Sequence, residues 1–221
     1  MKKELEEKEK ILKDMIFRYP QLSVCQSQIK DAYQVLEHLY EDYGGVLYVA
    51  GNGGSAADSE HIVGELMKSF LLKREISPTV RKTLIEKFQH EGEKIAEKIE
   101  GGLPAVSLPS LLALSTAISN DISEEMVFAQ MLNVIGKKGD VFWGISTSGN
   151  SVNIVAAMMV AKAKEMVTIG MCGSETCKLD SFCDVIIHVP EKETYKVQEL
   201  HLPIYHALCA MLESHFWKKE I

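Results

Sequence analysis

The chain has 221 residues, of which 46% are hydrophobic and 25% charged, and its formal net charge at pH 7 is −7. These values are typical of a folded globular protein with one sizeable core, and the negative charge argues against direct binding of nucleic acid. The longest apolar runs fall far short of the roughly 20 residues that a membrane-spanning helix needs, and no apolar segment follows the charged start of the chain. We therefore expect a single domain over residues 1–221 that stays in the cytoplasm and has no membrane partner.

Two amphipathic helices are predicted at the start of the chain, over about residues 2–18 and 24–43. Pro20 ends the first, and the Gly44-Gly45 pair ends the second. Neither helix carries side chains that suggest chemistry. Long amphipathic helices ahead of an α/β core more often build a subunit interface, so we expect residues 2–43 to serve assembly.

The stretch VLYVAGNGGSAADSEHIVGELMKSF, residues 46–70, predicts a strand, a tight loop and a helix. The loop glycines at 51, 53 and 54 can take positive φ and allow a ligand to approach closely. Ser55 is expected to cap the helix. Free N–H groups at such a helix start favour an anion, commonly a phosphate.

Two side chains of this helix could take part in chemistry. His61 and Glu65 are four residues apart, so they project from the same face. Either could transfer a proton or bind a metal ion. The segment therefore combines an anion-binding loop with two reactive groups.

Residues 71–102 form an insertion with helical spacing. The predicted helix within it begins at Ser77-Pro78 and stops at Gly101-Gly102. Its first half is basic, with Lys73, Arg74, Arg81, Lys82 and Lys87. Such a charge pattern usually belongs to a solvated helix face. A lid that faces a phosphate is the alternative.

The rest of the chain alternates short apolar runs with helical segments. Together with the run at 46–50, the predicted strands cover about residues 103–108, 141–145, 167–171 and 185–189, and a closing helix covers about 195–217. This alternation predicts a parallel sheet covered by helices on both faces. Ligands of such sheets bind beyond the carboxyl ends of the strands, where both polar loops of this chain would lie.

The second polar loop, residues 146–151, has the sequence STSGNS and opens a predicted helix. Its hydroxyl groups belong to Ser146, Thr147, Ser148 and Ser151. Such a loop can donate several backbone and hydroxyl hydrogen bonds to phosphate oxygens. A plain serine-rich turn is the alternative reading.

Four motifs together resemble the sugar isomerase (SIS) domain family and, within it, the phosphoheptose isomerases. They are GNGGSAADSEHIVGEL at 51–66, SND at 119–121 (read as a turn), GISTSGNS at 144–151 and QELHLPIYH at 198–206. The resemblance covers nearly the whole chain apart from the insertion. It implies a three-layer α/β fold, in which a central parallel sheet is flanked by helices and preceded by the two N-terminal helices. It also implies a homotetramer whose active sites are shared between subunits.

The resemblance assigns roles to the residues at matching positions. Substrate contacts are implied for Asn52, Gly53, Gly54, Ser55, Asn120, Asp121, Ser146, Thr147, Ser148, Ser151 and Gln198, with the hydroxyl loop holding the phosphate. The positions that bind zinc in metal-containing members are His61, Glu65, Gln198 and His206. Glu65 and His206 also match the residues assigned to proton transfer.

The residue types suit these roles. His206 lies eight residues beyond Gln198, so the two share a helix face, whereas His201 is expected either to support a site residue from behind or to pack in the core. With His61 and Glu65 they make an N/O ligand set that is compatible with zinc. Aldose–ketose interconversion needs one group to remove a proton beside the carbonyl and another to protonate the enediol, which a carboxylate and an imidazole can do. Because zinc weakens a coordinated base, Glu65 and His206 must exchange roles or act without metal in part of the cycle.

The leading hypothesis is an isomerase that interconverts sedoheptulose 7-phosphate and D-glycero-D-manno-heptose 7-phosphate through an enediol. One alternative is a non-catalytic SIS protein that binds a replication initiator or senses a sugar phosphate, and another is an isomerase of a different sugar phosphate. Glu65 favours an enzyme, since binding members of the family tend to lack this carboxylate. Tyr195 departs from the family pattern, which commonly has an aspartate there, and the 71–102 insertion is longer than the usual connection.

The five cysteines include no CxxC pair and stand at positions 25, 172, 177, 183 and 209. This pattern is poor evidence for a disulfide framework or a zinc knuckle. A metal bound by Cys172, Cys177 and Cys183 would need a fourth ligand that the neighbouring sequence does not obviously supply. We expect reduced thiols, mostly in the core.

Overall fold

The structure, a computed structural model, describes the backbone of residues 2–217 and the side chains of residues 7–217. The strands of this part are β1 (Leu47–Ala50), β2 (Ala105–Ser107), β3 (Val141–Ile145), β4 (Val167–Cys172) and β5 (Val185–His188). The α-helices are α1 (Lys2–Arg18), α2 (Gln26–His38), α3 (Gly54–Met67), α4 (Pro78–Lys98), α5 (Leu112–Asp121), α6 (Val127–Ile135), α7 (Val152–Ala163) and α8 (Thr194–Trp217).

The five strands form one parallel sheet in the order β2-β1-β3-β4-β5. Parallel neighbours need long crossovers, and helices supply them here. The order reverses beside β1 and β3, so the loops that follow these two strands lie next to each other at the carboxyl edge. The predicted α/β fold with a central parallel sheet and two N-terminal helices is confirmed.

Each face of the sheet has its own apolar core, because successive strand residues point to opposite sides. Trp143 packs on the side of α1, α2, α3 and α8, whereas Phe142 packs on the side of α5, α6 and α7. The molecule therefore has three layers. None of the helices between residues 2 and 217 is both long enough and apolar enough to cross a bilayer.

The insertion folds as a helical hairpin. Helix α4 breaks at Gln89, where φ is 49°, and its two arms pack against each other at Gly92. A Cβ on Gly92 would lie 2.0 Å from the carbonyl oxygen of Leu84, so glycine is required for this close approach. Four of the five basic residues predicted for this region are exposed, namely Lys73, Arg81, Lys82 and Lys87.

Arg74 is the exception and corrects the prediction of a basic surface, since it is fully buried. Its Nε donates to Glu213 Oε1 at 2.7 Å, and its two terminal nitrogens donate to the carbonyl oxygens of Leu66 and Glu65 at 2.6 and 2.8 Å. A buried charge is tolerated only with such complete pairing. Through these bonds Arg74 joins Glu213 in α8 to the C-terminal end of α3, the helix that carries His61 and Glu65.

Candidate active site

The first loop lies between β1 and α3. Gly53, with φ 55° and ψ −120°, is the residue that precedes the helix. The prediction that Ser55 caps the helix is wrong, because Ser55 lies in the first turn and is only 3% exposed. The Ser55 N–H already donates to the Asn52 carbonyl at 3.0 Å, so the turn that starts the helix begins at Asn52.

Asn52 ties the two polar loops together. Its side-chain amide exchanges two hydrogen bonds with that of Asn153 in α7, each 2.9 Å long. Asn153 was not predicted as a site residue, because nothing in the sequence shows that it pairs with a residue 101 positions away. The pair holds the first polar loop (residues 51–54, the glycine loop) against the start of α7, the helix that follows the second polar loop (residues 146–151, the hydroxyl loop).

The hydroxyl loop is closed by its own side chains. Ser146 and Ser151 share a hydrogen bond of 2.9 Å between their Oγ atoms, and Ser148 Oγ accepts from the Asn150 N–H at 3.2 Å. Helix α7 begins directly afterwards, so its first N–H groups have no intrahelical partner. Ser148 is exposed and Thr147 half-buried, which leaves this end open to an anion.

The carboxylate and the imidazoles predicted to act together do lie together. His61 Nε2 is 3.1 Å from Glu65 Oε1 and 3.3 Å from His206 Nε2. His61 therefore lies between the other two. Glu65 is 14% exposed and also accepts a hydrogen bond from Lys68 at 3.3 Å.

Gln198 approaches the site from the side of the glycine loop. A Cβ on Gly54 would lie 2.7 Å from Gln198 Nε2 and 2.9 Å from its Oε1, so the amide packs directly over this glycine. Within residues 7–217, Gln198 makes no hydrogen bond to His61 or His206. Of the four residues expected to bind zinc, Glu65, His61 and His206 therefore form a row, and Gln198 lies beside the glycine loop.

A Gly54→Ala variant tests this placement. The added methyl group would push the Gln198 amide away, and because that amide is the far end of a flexible side chain, we expect the fold to survive. The expected sugar-phosphate isomerase activity should fall about 10- to 100-fold, the usual effect of displacing a group that positions a metal ligand or substrate. Gly64→Ala in the same helix is the matched control, since nothing lies within 4 Å of its added Cβ. Equal activity of the two variants would contradict this role of Gly54.

The donor set fits zinc. Zn–N and Zn–O distances of about 2.0–2.2 Å place neighbouring tetrahedral ligands roughly 3.3–3.6 Å apart, near the separations that His61 makes with Glu65 and His206. The ligand atoms of His61, Glu65 and His206 do not all lie within 4.8 Å of one another, although two other groups of described residues meet this distance. Glu65 and His206 would therefore have to move closer together around an ion.

Two residues that the sequence did not single out orient His61. The Tyr205 hydroxyl lies 3.0 Å from His61 Nδ1 and 3.2 Å from Asp58 Oδ1, so it bridges the imidazole and a half-buried carboxylate. Burial raises the pKa of the Tyr205 hydroxyl and that of the Asp58 carboxyl. Burial, and then the neighbouring His61, lowers the pKa of His206. His206 is therefore neutral near pH 7 and able to accept a proton.

We expect Tyr205→Phe to lower activity about 10- to 100-fold, because it removes the group that orients His61 and leaves the Asp58 carboxylate without its partner. Steady-state kinetics, with circular dichroism as a check of folding, measures this effect. Tyr40→Phe is the matched control, since the Tyr40 hydroxyl donates to the Pro104 carbonyl, outside this set of contacts. Unchanged activity of Tyr205→Phe would show that His61 needs no such support.

Four predicted or singled-out positions lie apart from these contacts. Asn120 and Asp121 form the exposed last turn of α5 instead of the predicted turn, and the Asn120 side-chain amide donates to Asp121 Oδ1 at 2.8 Å. Tyr195 is 59% exposed on the first turn of α8. His201 packs in the core, as expected, and burial lowers its pKa to about 4.

Comparisons with known proteins point to one family. The family model described as "SIS domain" matches residues 95–173. The chain is 37% identical over 177 residues to a phosphoheptose isomerase of Burkholderia pseudomallei, covering 80% of this chain and 77% of the relative. It is 36% identical over 177 residues to that of Aneurinibacillus thermoaerophilus, covering 80% and 76%. The solved phosphoheptose isomerase of Neisseria gonorrhoeae superposes with a TM-score of 0.69 at 28% identity, covering 91% and 94%.

Proposed function

Because the chain belongs to the phosphoheptose isomerase family of SIS-domain proteins, we propose that it interconverts sedoheptulose 7-phosphate and D-glycero-D-manno-heptose 7-phosphate. It is an aldose–ketose isomerase. The observation that carries this proposal is the row formed by Glu65, His61 and His206, in which adjacent side chains are 3.1 and 3.3 Å apart. A carboxylate and a neutral imidazole in one site can divide the two proton transfers between them.

In the proposed reaction the hydroxyl loop binds the phosphate, which fixes the sugar relative to α3 and α8. Glu65 removes the proton from carbon 1 of the ketose, and an enediol forms. A proton returned to carbon 2 gives the aldose, while the hydroxyl proton of oxygen 1 is passed to oxygen 2. His206 serves the oxygen atoms, since its lowered pKa keeps it neutral and able both to accept and to release a proton.

The direct test incubates the purified chain with sedoheptulose 7-phosphate and follows formation of the aldose. We expect turnover, and a preference for this ketose over ketose phosphates of other chain lengths. No turnover, with or without added zinc, would contradict the proposal. Capture of a replication initiator with an affinity that Glu65→Gln leaves unchanged would support the binding alternative instead.

We further propose that His61, Glu65, Gln198 and His206 can hold one zinc ion. When bound, zinc would polarise the sugar carbonyl and stabilise its developing negative charge. Support comes from the N/O donor set and its spacing. Chelation is expected to lower activity, and added zinc to restore it, with His61→Ala as the variant that no longer responds. Full activity of protein shown to contain no metal would leave the acid–base pair acting alone.

The proposal includes a homotetramer with shared active sites. Phe17 at the end of α1 is 85% exposed and Val24 is 69% exposed, which suits an interface better than a solvated surface. A groove of about 750 Å³ runs between α1 and His206, so a partner subunit could reach the site there. Light scattering should give the mass of four chains, and Phe17→Ser should reduce it. A monomeric wild type would contradict this part.

We place the isomerase in the cytoplasm on the support of its cysteines. All five are free thiols, as expected for a reducing compartment. Cell fractionation tests this location.

A further inference from the structure

A group of side chains next to the hydroxyl loop has no part in the proposed reaction. Cys172 ends β4, Cys177 lies in the loop that follows, and His188 ends β5. Cys172 and His188 are register partners in the parallel sheet, so their side chains lie on the same face. The ligand atoms of all three residues lie within 4.8 Å of one another.

The spacing of these atoms matches that of a tetrahedral zinc site. Zn–S bonds of about 2.3 Å and Zn–N bonds of about 2.0–2.1 Å put neighbouring sulfur atoms roughly 3.8 Å apart and a sulfur and a nitrogen roughly 3.5 Å apart. Here Cys172 Sγ is 3.8 Å from Cys177 Sγ and 3.4 Å from His188 Nδ1. Two of the three donor pairs therefore already have the separation of tetrahedral ligands, and the third pair, Cys177 and His188, lies within 4.8 Å.

Asp180 supports both ends of the group. One carboxylate oxygen accepts from His188 Nε2 at 2.7 Å, and the other accepts from the Cys177 N–H at 2.7 Å. Metal-binding histidines are commonly held in this way by a carboxylate on the ring nitrogen that does not bind the metal. The other nitrogen, Nδ1, now donates to the Gly173 carbonyl at 2.7 Å and would turn from it to the metal.

We propose that Cys172, Cys177 and His188 form a second zinc site, separate from the His61 set, with the fourth position open to water. His188 is 29% exposed and Cys177 half-buried, so the site can be reached from the surface. Zinc binding releases the two thiol protons and the Nδ1 proton to solvent. This proposal does not depend on the identity of the isomerised sugar.

A metal bound by these residues would restrict the motion of the hydroxyl loop, residues 146–151. Gly149, with φ +63°, packs so closely that a Cβ on it would lie 2.1 Å from Cys177 Sγ. The Leu179 N–H donates to the Gly149 carbonyl at 3.2 Å, and the Lys178 N–H donates to Asn150 Oδ1 at 3.0 Å. Ordering Cys177 by coordination therefore orders residues 149–150.

Cobalt substitution of the full chain tests the site without relying on activity. Reduced, chelator-treated protein is titrated with Co²⁺, and absorption from thiolate-to-cobalt charge transfer is recorded. The His61 set contains no sulfur, so it cannot produce this absorption. We expect one thiolate-bound cobalt per chain, displaced by zinc, and an affinity at least about tenfold lower in Cys177→Ser and His188→Asn.

Two controls sharpen the result. Cys25→Ser removes a buried thiol on the N-terminal side of the molecule and should leave the absorption unchanged, as should His61→Ala. Because Cys172 is fully buried, the half-buried Cys177 is the better position for the variant. No charge-transfer absorption in the wild type, or absorption that persists in Cys177→Ser, would overturn the proposal. Isomerase activity is assayed separately, so its failure would count only against the proposed function.

Discussion

Glu65→Gln is expected to lower kcat for the heptose phosphate isomerisation by about 10²- to 10⁴-fold, the usual contribution of a positioned general base. The amide has nearly the same shape but cannot accept the proton from carbon 1. Because the hydroxyl loop and not Glu65 is proposed to bind the phosphate, KM should change much less than kcat. Steady-state kinetics on zinc-loaded and on metal-free protein separates the loss of the base from the loss of a zinc ligand.

Glu60→Gln is the matched control. Glu60 lies in the same helix and is exposed, and its substitution likewise replaces one carboxylate with an amide. Its activity should equal that of the wild type, and both variants should show the circular dichroism of the folded chain. Glu65→Gln activity close to that of the wild type would remove Glu65 from the proton transfer and leave His206 as the candidate base.

Glu213→Ala is expected to lower the free energy of unfolding by about 3–5 kcal/mol, the usual cost of breaking a buried ion pair from one side. The variant leaves the Arg74 guanidinium buried without its carboxylate. It also removes the acceptor for the backbone N–H groups of Phe70, Leu71 and Leu72, which bond to Glu213 at 2.7 to 3.0 Å. Urea unfolding followed by circular dichroism measures the loss.

An exposed ion pair is the control for this prediction. Glu91 accepts a hydrogen bond from Lys94 at 2.9 Å on the surface of α4, and Glu91→Ala should cost no more than about 1 kcal/mol. A loss of similar size in both variants would mean that burial of the Arg74–Glu213 pair contributes nothing. Because Arg74 also binds the carbonyl oxygen of Glu65, the folded fraction of Glu213→Ala should have lower activity as well.

The secondary structure was largely predictable because its signals are local. Alternation of apolar runs with helical spacing placed β1 to β5 close to their observed positions. The Gly44-Gly45 pair correctly predicted where the second helical segment ends, because α2 is followed directly by a π-helical turn over Leu39–Tyr43, which Gly44 ends with φ 57°. The errors were also local. Ser55 looks like a helix cap until the left-handed turn at Gly53 places it inside the helix.

The sequence by itself determined the α/β alternation, the two polar loops, and the carboxylate and histidines on α3 and α8. Only the tertiary structure decided which distant residues meet: Arg74 with Glu213, 139 positions away, Tyr205 with His61, and Cys172 with His188 across two strands. The physical reason is that helix and strand periodicity depends on neighbours a few positions apart. Contacts such as these depend instead on strand order, register and crossover direction, which become defined only when the sheet and its covering helices assemble.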